Sequence, residues 1–153
     1  MSKLSIRPIT SDDIPTIVHH RHAMFADMGK GTPESRQQMD EGTYPWLEGM
    51  IANDHYLGWF ACDEERVVAG VGLWLMDWIP AVDGFTGRLP YLLNVYTEPD
   101  YRRRGVARQL VTKTIHWCKA QGYPRLRLHA SEFGRPLYAD LGFTQTNEMQ
   151  LTL

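Results

Sequence analysis

The stretch VYTEPDYRRRGVARQLV, residues 95–111, places three consecutive arginines directly before a glycine. The apolar run YLLNVYT (91–97) predicts a strand before them, and apolar residues at helical spacing predict a helix after them. The first N–H groups of a helix have no partner within the helix, and the helix dipole adds partial positive charge there. Because Gly105 has no side chain, an anion can approach these groups closely. The sequence therefore predicts a phosphate or pyrophosphate site at residues 103–108.

A solvated run of charge at a helix start is the alternative to an anion site. The chain has 16 Lys and Arg against 18 Asp and Glu, a net charge of −2, so general attraction to nucleic acid or membrane is not expected. Binding of a nucleic-acid backbone through one short basic patch is disfavoured for the same reason. The sequence contains neither the dinucleotide fingerprint G-x-G-x-x-G nor a P-loop ending in G-K-[ST].

Length and composition are those of one globular domain, residues 1–153. The chain is 43% hydrophobic and 22% charged, which is ordinary for such a domain. No apolar run approaches the ~18 residues of a membrane-spanning helix, and the N-terminus lacks a signal-peptide pattern, which favours a cytoplasmic protein. Cys62 and Cys118 form no C-x-x-C pair and are expected to be reduced and buried.

The order of patterns along the chain predicts helices first and strands later. Pro45 is expected to divide the second helical region into two short helices, because proline disrupts a helix interior. The predicted strands are 4–9, 55–62, 66–76, 91–97, 125–130 and 143–153, and the predicted helices are 14–28, 33–51, 104–121 and 136–141, with a Pro/Gly-rich loop at 80–90. This order is typical of an α/β fold, a mixed sheet with helices on its faces.

Two motifs carry a family resemblance. RRRGVA, residues 102–107, matches the pattern (Gln/Arg)-x-x-Gly-x-(Gly/Ala), and with it the sequence resembles the GNAT superfamily of N-acetyltransferases, which use this pattern for acetyl-CoA. LHASEFGRPLYADLGF, residues 128–143, resembles that superfamily's last strand and helix, in which a Tyr, here Tyr138, precedes x-x-x-Gly-Phe. The two matches together cover residues 91–144.

The resemblance implies both a fold and an activity. The implied fold is a twisted, mostly antiparallel sheet of about six to seven strands, with helices on both faces and strands splayed at the cofactor site. The implied activity uses acetyl-CoA as co-substrate and no metal, and it transfers acetyl to a small-molecule or peptide amine by direct attack in a ternary complex. Monomer and homodimer are both compatible with it. A non-catalytic acyl-CoA-binding sensor or interaction module with the same fold is the alternative.

The resemblance also assigns roles to residues. Main-chain groups of Val95 and Thr97 would bind pantetheine, and a strand amide near Val95 or Tyr96 would polarise the thioester carbonyl. Tyr138 is the implied catalytic residue, protonating the departing CoA thiolate. The residues implied to bind the cofactor are Val95, Thr97, Arg102, Arg103, Arg104, Gly105, Val106, Ala107, Arg108 and Ser131.

Some positions depart from the superfamily's pattern. Ser131 and Gly134 stand where many members have Asn and Ala, and Tyr91 stands where some members carry a glutamate as general base. The base therefore stays open between direct attack by a neutral amine and a base acting through water. His129 is a further candidate, with a purely structural strand histidine as its alternative.

The remaining candidates concern metal and acceptor binding. His19 and His22, in the stretch HHRH, have helical metal-ligand spacing, but no third ligand follows at a suitable distance, so surface or acceptor-site histidines are expected. Ser131 lacks the His–Asp pattern of a hydrolase triad. Candidates for an acceptor pocket, with surface or core positions as the alternative, are Asp27, Glu41, Asp77, Trp46, Trp74 and Trp78.

Overall fold

The secondary structure is that of a computed structural model, which describes residues 3–84 and 87–153. Its strands are β1 (Ser5–Pro8), β2 (Tyr56–Asp63), β3 (Arg66–Asp77), β4 (Arg88–Thr97) and β5 (Arg127–Leu128), and its helices are α1 (Ile14–Asp27), α2 (Pro33–Ala52), α3 (Val106–Ala120) and α4 (Arg135–Asp140). The predicted loop at 80–90 is shortened because β4 begins at residue 88, and its residues 85 and 86 lie outside the described residues. In the described ranges, no helix has both the length and the apolarity needed to cross a membrane.

The strands form one mixed sheet in the order β1-β2-β3-β4-β5. Neighbours from β1 to β4 are antiparallel, whereas β5 is parallel to β4 and pairs with it only at Tyr91–Arg127 and Leu92–Leu128. Strand β4 then continues to Thr97 with no β5 partner in the described part of the chain. The predicted mixed sheet is confirmed, and the pairing of β4 with β5 stops where the cofactor gap was expected.

The sheet has five strands, so the expectation of about six to seven is wrong. The predicted strand 125–130 is reduced to two residues, and residues 143–153 form no strand at all. These last residues, which we call the tail, have the alternating pattern of a strand, but a strand also needs a neighbour to complete its backbone hydrogen bonds. The described part of the chain supplies no such neighbour to the tail.

Helix α2 is continuous, and the predicted break at Pro45 is wrong. Proline inside a helix costs about 3 kcal/mol, which the packing of the residues that follow Pro45 helps to outweigh. Leu47 is fully buried, and the ring of Trp46 lies edge-on to Trp74, with 5.2 Å between their centroids. Tertiary contacts therefore keep α2 intact across the proline.

Apolar side chains cover both faces of the sheet. One face of α3, including Leu110 and Val111, packs on alternate residues of the strands, such as Ala61. On the opposite face α1 and α2 pack on the intervening residues, such as Phe60. The two cysteines are free and buried, as predicted; they are Cys62 and Cys118. The expected helices on both faces are thus confirmed, and the end of β4 lies between the two layers.

His20 of α1 is buried in this second layer, with 2% of its surface exposed. Its ring lies 5.5 Å from that of Phe60 and 5.0 Å from that of Tyr96, between centroids. A Cβ at Gly70 would lie 2.9 Å from His20 Nδ1, so glycine at this position makes room for the ring. Burial lowers the pKa of His20 from 6.5 to about 4.

The buried histidine predicts an acid-sensitive fold. Because the folded pKa lies below the unfolded one, protonation favours the unfolded state, and stability falls as pH drops from 6.5 towards 4. The loss from His20 reaches about 3 kcal/mol near pH 4. We expect urea unfolding of His20→Leu to show a flatter pH dependence in this window, whereas exposed His116→Leu keeps the wild-type slope. An unchanged slope in His20→Leu would assign the sensitivity to other groups.

Candidate functional site

A cavity of about 560 Å³ opens where β4 runs on beyond its last contact with β5. Strand β4 forms one wall, the segment 131–138 forms the opposite wall, and the turn into α3 forms the floor. The predicted site residues in the lining are Val95, Thr97, Arg102, Arg103, Gly105, Val106, Ala107, Arg108, Ser131 and Tyr138. Arg104 lies outside the lining, and its guanidinium carbon is 5.0 Å from the ring centroid of Tyr101. Residues from separate parts of the sequence thus meet around one cavity.

The floor is a left-handed turn that ends at the first residue of α3. Gly105 is the N-cap of this helix with φ 74°, and Arg103 also has a positive φ, 62°. A Cβ placed on Gly105 would meet no atom within 4 Å, so the space above the turn is open. The unpaired amides at the start of α3 therefore have room for a bulky anion.

Arg102 is tied to two elements of the protein. Its Nη2 donates to Asp27 Oδ2 of α1 at 2.6 Å, and its Nε donates to the carbonyl of Thr97 at 2.8 Å. Asp27, a candidate for binding the acceptor's ammonium group, thus lies in the cavity wall as the counter-ion of an arginine. The pair links α1 to the end of β4.

The other arginines of the turn differ in how their charge is balanced. Arg108 Nη2 donates to Asp140 Oδ2 of α4 at 2.9 Å. Within residues 3–84 and 87–153, Arg103 and Arg104 form no ion pair. Since Arg103 also lines the cavity, its charge is available to a bound anion.

Tyr138 of α4 is 9% exposed and faces the cavity. Its ring lies edge-on to that of Phe143, with centroids 5.7 Å apart. A Cβ at Gly134 would be 2.8 Å from Tyr138 Cε2, so glycine there lets the ring lie against the backbone. Burial raises the pKa of Tyr138 above its ordinary value near 10, so its hydroxyl is protonated at neutral pH. In the described structure no protein group bonds to this hydroxyl, which is free to donate to a ligand.

Ser131 lies at the start of the opposite wall. Its Oγ accepts a hydrogen bond from the Gly134 amide at 3.1 Å, and its carbonyl accepts one from the Arg135 amide at 3.0 Å. Ser131 therefore shapes the turn that leads into α4, in addition to lining the cavity.

Strand β4 contains a β-bulge beside the cavity. The register with β3 leaves one residue of β3 opposite two of β4, Asn94 and Val95. Asn94 has φ 54°, a left-handed value that Asn adopts more readily than most side chains. Its buried side chain accepts from Arg21 Nη1 at 2.9 Å and donates to Tyr56 Oη at 3.0 Å. Sequence reasoning missed this cluster; an Asn within an apolar strand was the available signal.

The histidine candidates lie in several environments. His19 Nε2 is 3.1 Å from Glu98 Oε1, and His22 Nδ1 is 2.7 Å from Asp40 Oδ2. His129 is exposed and lines a second groove, of about 700 Å³, between β5 and the tail. Among the residues that the structure describes, no three His, Cys, Asp or Glu side chains are grouped to hold a metal ion.

The tryptophan candidates divide between core and surface. Trp46 and Trp74 pack together against the α1–α2 side of the sheet, as expected for core residues. Trp78 is 37% exposed, with the Arg127 guanidinium 5.6 Å from its ring centroid. None of these rings lines the cavity beside Tyr138.

Comparison with known proteins decides the family. Residues 20–143 match the family model described as Acetyltransferase (GNAT) family. The chain belongs to the GNAT acetyltransferase family. The resemblance seen in residues 91–144 is therefore confirmed, and the match extends into α1.

Solved structures agree with this GNAT assignment. A GCN5-related N-acetyltransferase from Ralstonia eutropha JMP134 is 30% identical, with a TM-score of 0.92 over 99% of each chain. A predicted acetyltransferase from Clostridium acetobutylicum, crystallised with acetyl-CoA, is 26% identical, with a TM-score of 0.89 over 99% of this chain and 96% of that one. Glucosamine-6-phosphate N-acetyltransferase from Arabidopsis thaliana, 14% identical with a TM-score of 0.71 over 99% of each chain, shares the fold. A comparison with curated proteins gave no match.

The GNAT cavity contains little that could act as a base. Asp27 is the one carboxylate in its described lining, and it is bonded to Arg102. Tyr91, which the resemblance aligned with a glutamate of some members, lies opposite Arg127 in the β4–β5 register, and burial raises the pKa of its hydroxyl.

Proposed function

We propose that this GNAT protein is an N-acetyltransferase that moves the acetyl group of acetyl-CoA to a primary amine by direct attack in a ternary complex. The observation that carries the proposal is the cavity at the end of β4. It brings together the open turn at Gly105, the strand segment Val95–Thr97 and the Tyr138 side chain. When bound, acetyl-CoA supplies the activated acetyl group as a thioester.

The cofactor is proposed to lie along the floor and the β4 wall. Amides at 103–108 would bind the pyrophosphate, with the positive charge of the turn in support. Main-chain groups of β4 would bind the pantetheine arm, and a strand amide beside the reacting carbonyl would stabilise developing negative charge. The proposed cofactor-binding residues are Val95, Thr97, Arg102, Arg103, Arg104, Gly105, Val106, Ala107, Arg108 and Ser131.

Tyr138 is proposed as the general acid. Its side chain lines the cavity, and its protonated hydroxyl has no partner in the described protein, so we propose that it donates a proton to the departing thiolate. The cavity offers no unpaired carboxylate in its described lining, which favours attack by an amine that arrives neutral. The acceptor is proposed to be a small-molecule or peptide amine.

A panel of primary amines, assayed for thiol release from acetyl-CoA, tests this function. Amine-dependent release together with acetyl-CoA binding in calorimetry is the expected result. Acetyl-CoA binding without release for any amine would favour a non-catalytic acyl-CoA-binding module. No binding at all would overturn the assignment of the cavity.

We also propose that the protein is a homodimer joined at the edge of β5. Within the described chain, the outer edge of β5 pairs with no strand, and the tail lies across a groove from it. Met149, Leu151 and Leu153 are almost fully exposed and alternate, so they share one side of an extended segment. A second copy related by two-fold symmetry would pair its tail with this edge and bury these side chains.

Removal of the tail is expected to dissociate the dimer. In light scattering coupled to gel filtration, we expect a dimer for the wild type and a monomer after deletion of 144–153, which removes the tail apart from Phe143 beside Tyr138. Leu151→Glu should weaken the dimer, whereas Val82→Glu, at another exposed apolar side chain, should not. A monomeric wild type, or a dimer that survives the deletion, would contradict the proposal.

A further inference from the structure

Arg21 of α1 is a half-buried cation that forms no ion pair within residues 3–84 and 87–153. Its Nη1 donates to Asn94 Oδ1 at 2.9 Å, and its guanidinium carbon lies 5.0 Å from the ring centroid of Phe25. In the described part of the chain it has no carboxylate partner, unlike Arg7, which donates to both oxygens of Asp13 at 2.8 Å. A guanidinium has five N–H donors, so most of those of Arg21 are left for another acceptor.

Such a cation is costly unless an anion accompanies it. Burial lowers the pKa of Arg21 below the ordinary value for arginine, because the charged form is partly removed from water. An unpaired charge in a poorly hydrated position destabilises a protein, whereas a paired and hydrogen-bonded one is tolerated. An oxyanion placed on the free donors would supply both the charge and the hydrogen-bond acceptors that are missing.

Arg21 is not itself among the lining residues, but on each of the two elements that hold it a nearby residue lines the cavity. Met24, three residues further along α1 and therefore on the same face of the helix, lines the cavity. Val95, which follows Asn94 in β4, lines it too. Asn94 thus joins the guanidinium to the strand segment where the proposed function places the acetyl group.

We infer that Arg21 binds an oxyanion, a carboxylate or a phosphate, carried by the acceptor amine. The inference rests on the proposed acetyl transfer and narrows its acceptor to amines that bear an anionic group. Arginine suits this role because its planar fork can donate two parallel hydrogen bonds to one carboxylate or phosphate. Asn94 is then a positioning residue, because its Oδ1 accepts from Nη1, which orients the guanidinium and leaves its other N–H donors for the anion.

Matched pairs of acceptors test the inference. α-Amino acids are compared with their carboxamides, and O-phosphoethanolamine is compared with ethanolamine, so that each pair differs in one anionic group. The two kinds of pair separate a carboxylate from a phosphate. For wild type, we expect the anionic member of at least one pair to have the higher kcat/KM, by about tenfold or more.

Substitution of Arg21 should remove that preference. Arg21→Gln is expected to lower kcat/KM for the anionic amine by about 10- to 100-fold and to change that for its neutral counterpart little. Arg21→Lys keeps the charge but loses the planar fork, so its kcat/KM for the anionic amine should lie between those of wild type and Arg21→Gln. Lys119→Gln removes a positive charge from the exposed far end of α3 and should leave the preference unchanged.

Two kinetic outcomes would overturn the inference. One is a wild type that does not prefer the anionic member of either pair. The other is an equal loss for anionic and neutral amines in Arg21→Gln, which would make Arg21 a support for the β4 bulge. If acetyl-CoA binds but no amine releases thiol, the proposed activity fails. The anion site at Arg21 is then tested separately, by calorimetry of the CoA-loaded protein with the same pairs of amines. Anionic amines that bind no better than neutral ones, or equally well to Arg21→Gln, would reject the site.

Discussion

Gly105→Val is expected to raise the dissociation constant for acetyl-CoA by about 100-fold. The built Cβ position at Gly105 is free of protein atoms and lies at the floor of the cavity, so a branched side chain would occupy the space proposed for the pyrophosphate. Loss of two charge-assisted hydrogen bonds at the start of α3 accounts for an effect of this size. Isothermal titration calorimetry with acetyl-CoA measures it directly.

Gly122→Val is the matched control, at the opposite end of α3. Gly122 also has a left-handed φ, 82°, and its Cβ would also meet no atom within 4 Å. Both substitutions therefore carry a similar backbone strain of about 1–3 kcal/mol, which thermal unfolding measures. We expect both variants to lose stability and only Gly105→Val to lose acetyl-CoA affinity. Equal affinity in the two variants would show that the cofactor does not approach this turn.

Tyr138→Phe is expected to lower kcat by about 100-fold, the low end of the usual contribution of a general acid. A thiolate leaves moderately well without protonation, which limits the help that the acid can give. The substitution keeps the ring and its edge-on contact with Phe143, so acetyl-CoA affinity and the thermal midpoint should change little. Steady-state rates with a confirmed acceptor amine measure the effect.

Tyr123→Phe is the matched control for Tyr138→Phe. Tyr123 stacks on Trp117, with 6.2 Å between ring centroids, and does not line the cavity. We expect it to turn over at the wild-type rate. Wild-type turnover in Tyr138→Phe would remove the acid role and leave the tyrosine as a packing residue beside the cofactor.

Local sequence signals were sufficient to predict the turn into α3. Gly105 and the apolar spacing after it act over a few residues, so the left-handed turn and the amphipathic helix follow from the nearby sequence. The hairpin of β2 and β3 was equally local, since the acidic turn between two apolar runs marks it. The residues that the family resemblance named, except Arg104, also meet around one cavity.

Features that depend on contacts between residues far apart in the sequence could not be predicted from local patterns. Arg102 and Arg108 were expected to face an anion together, yet each is bonded to a carboxylate, 75 and 32 positions away along the chain. His20 was not distinguished from its neighbours in HHRH, although it lies three residues after buried Ile17 on the same helical face. The tail has the alternation of a strand, but pairing needs a neighbour that the alternation does not supply.

The β4 bulge has a consequence for how this protein could diversify. Asn94 and Val95 are adjacent in the chain, yet Asn94 contacts Arg21 of α1, while Val95 lines the cavity. A change at Arg21 can therefore alter the contacts of Asn94 without replacing any residue that lines the cavity. If both proposed roles hold, the bulge separates a position that selects the acceptor from positions that bind acetyl-CoA, so that the first could change in evolution while the others are kept.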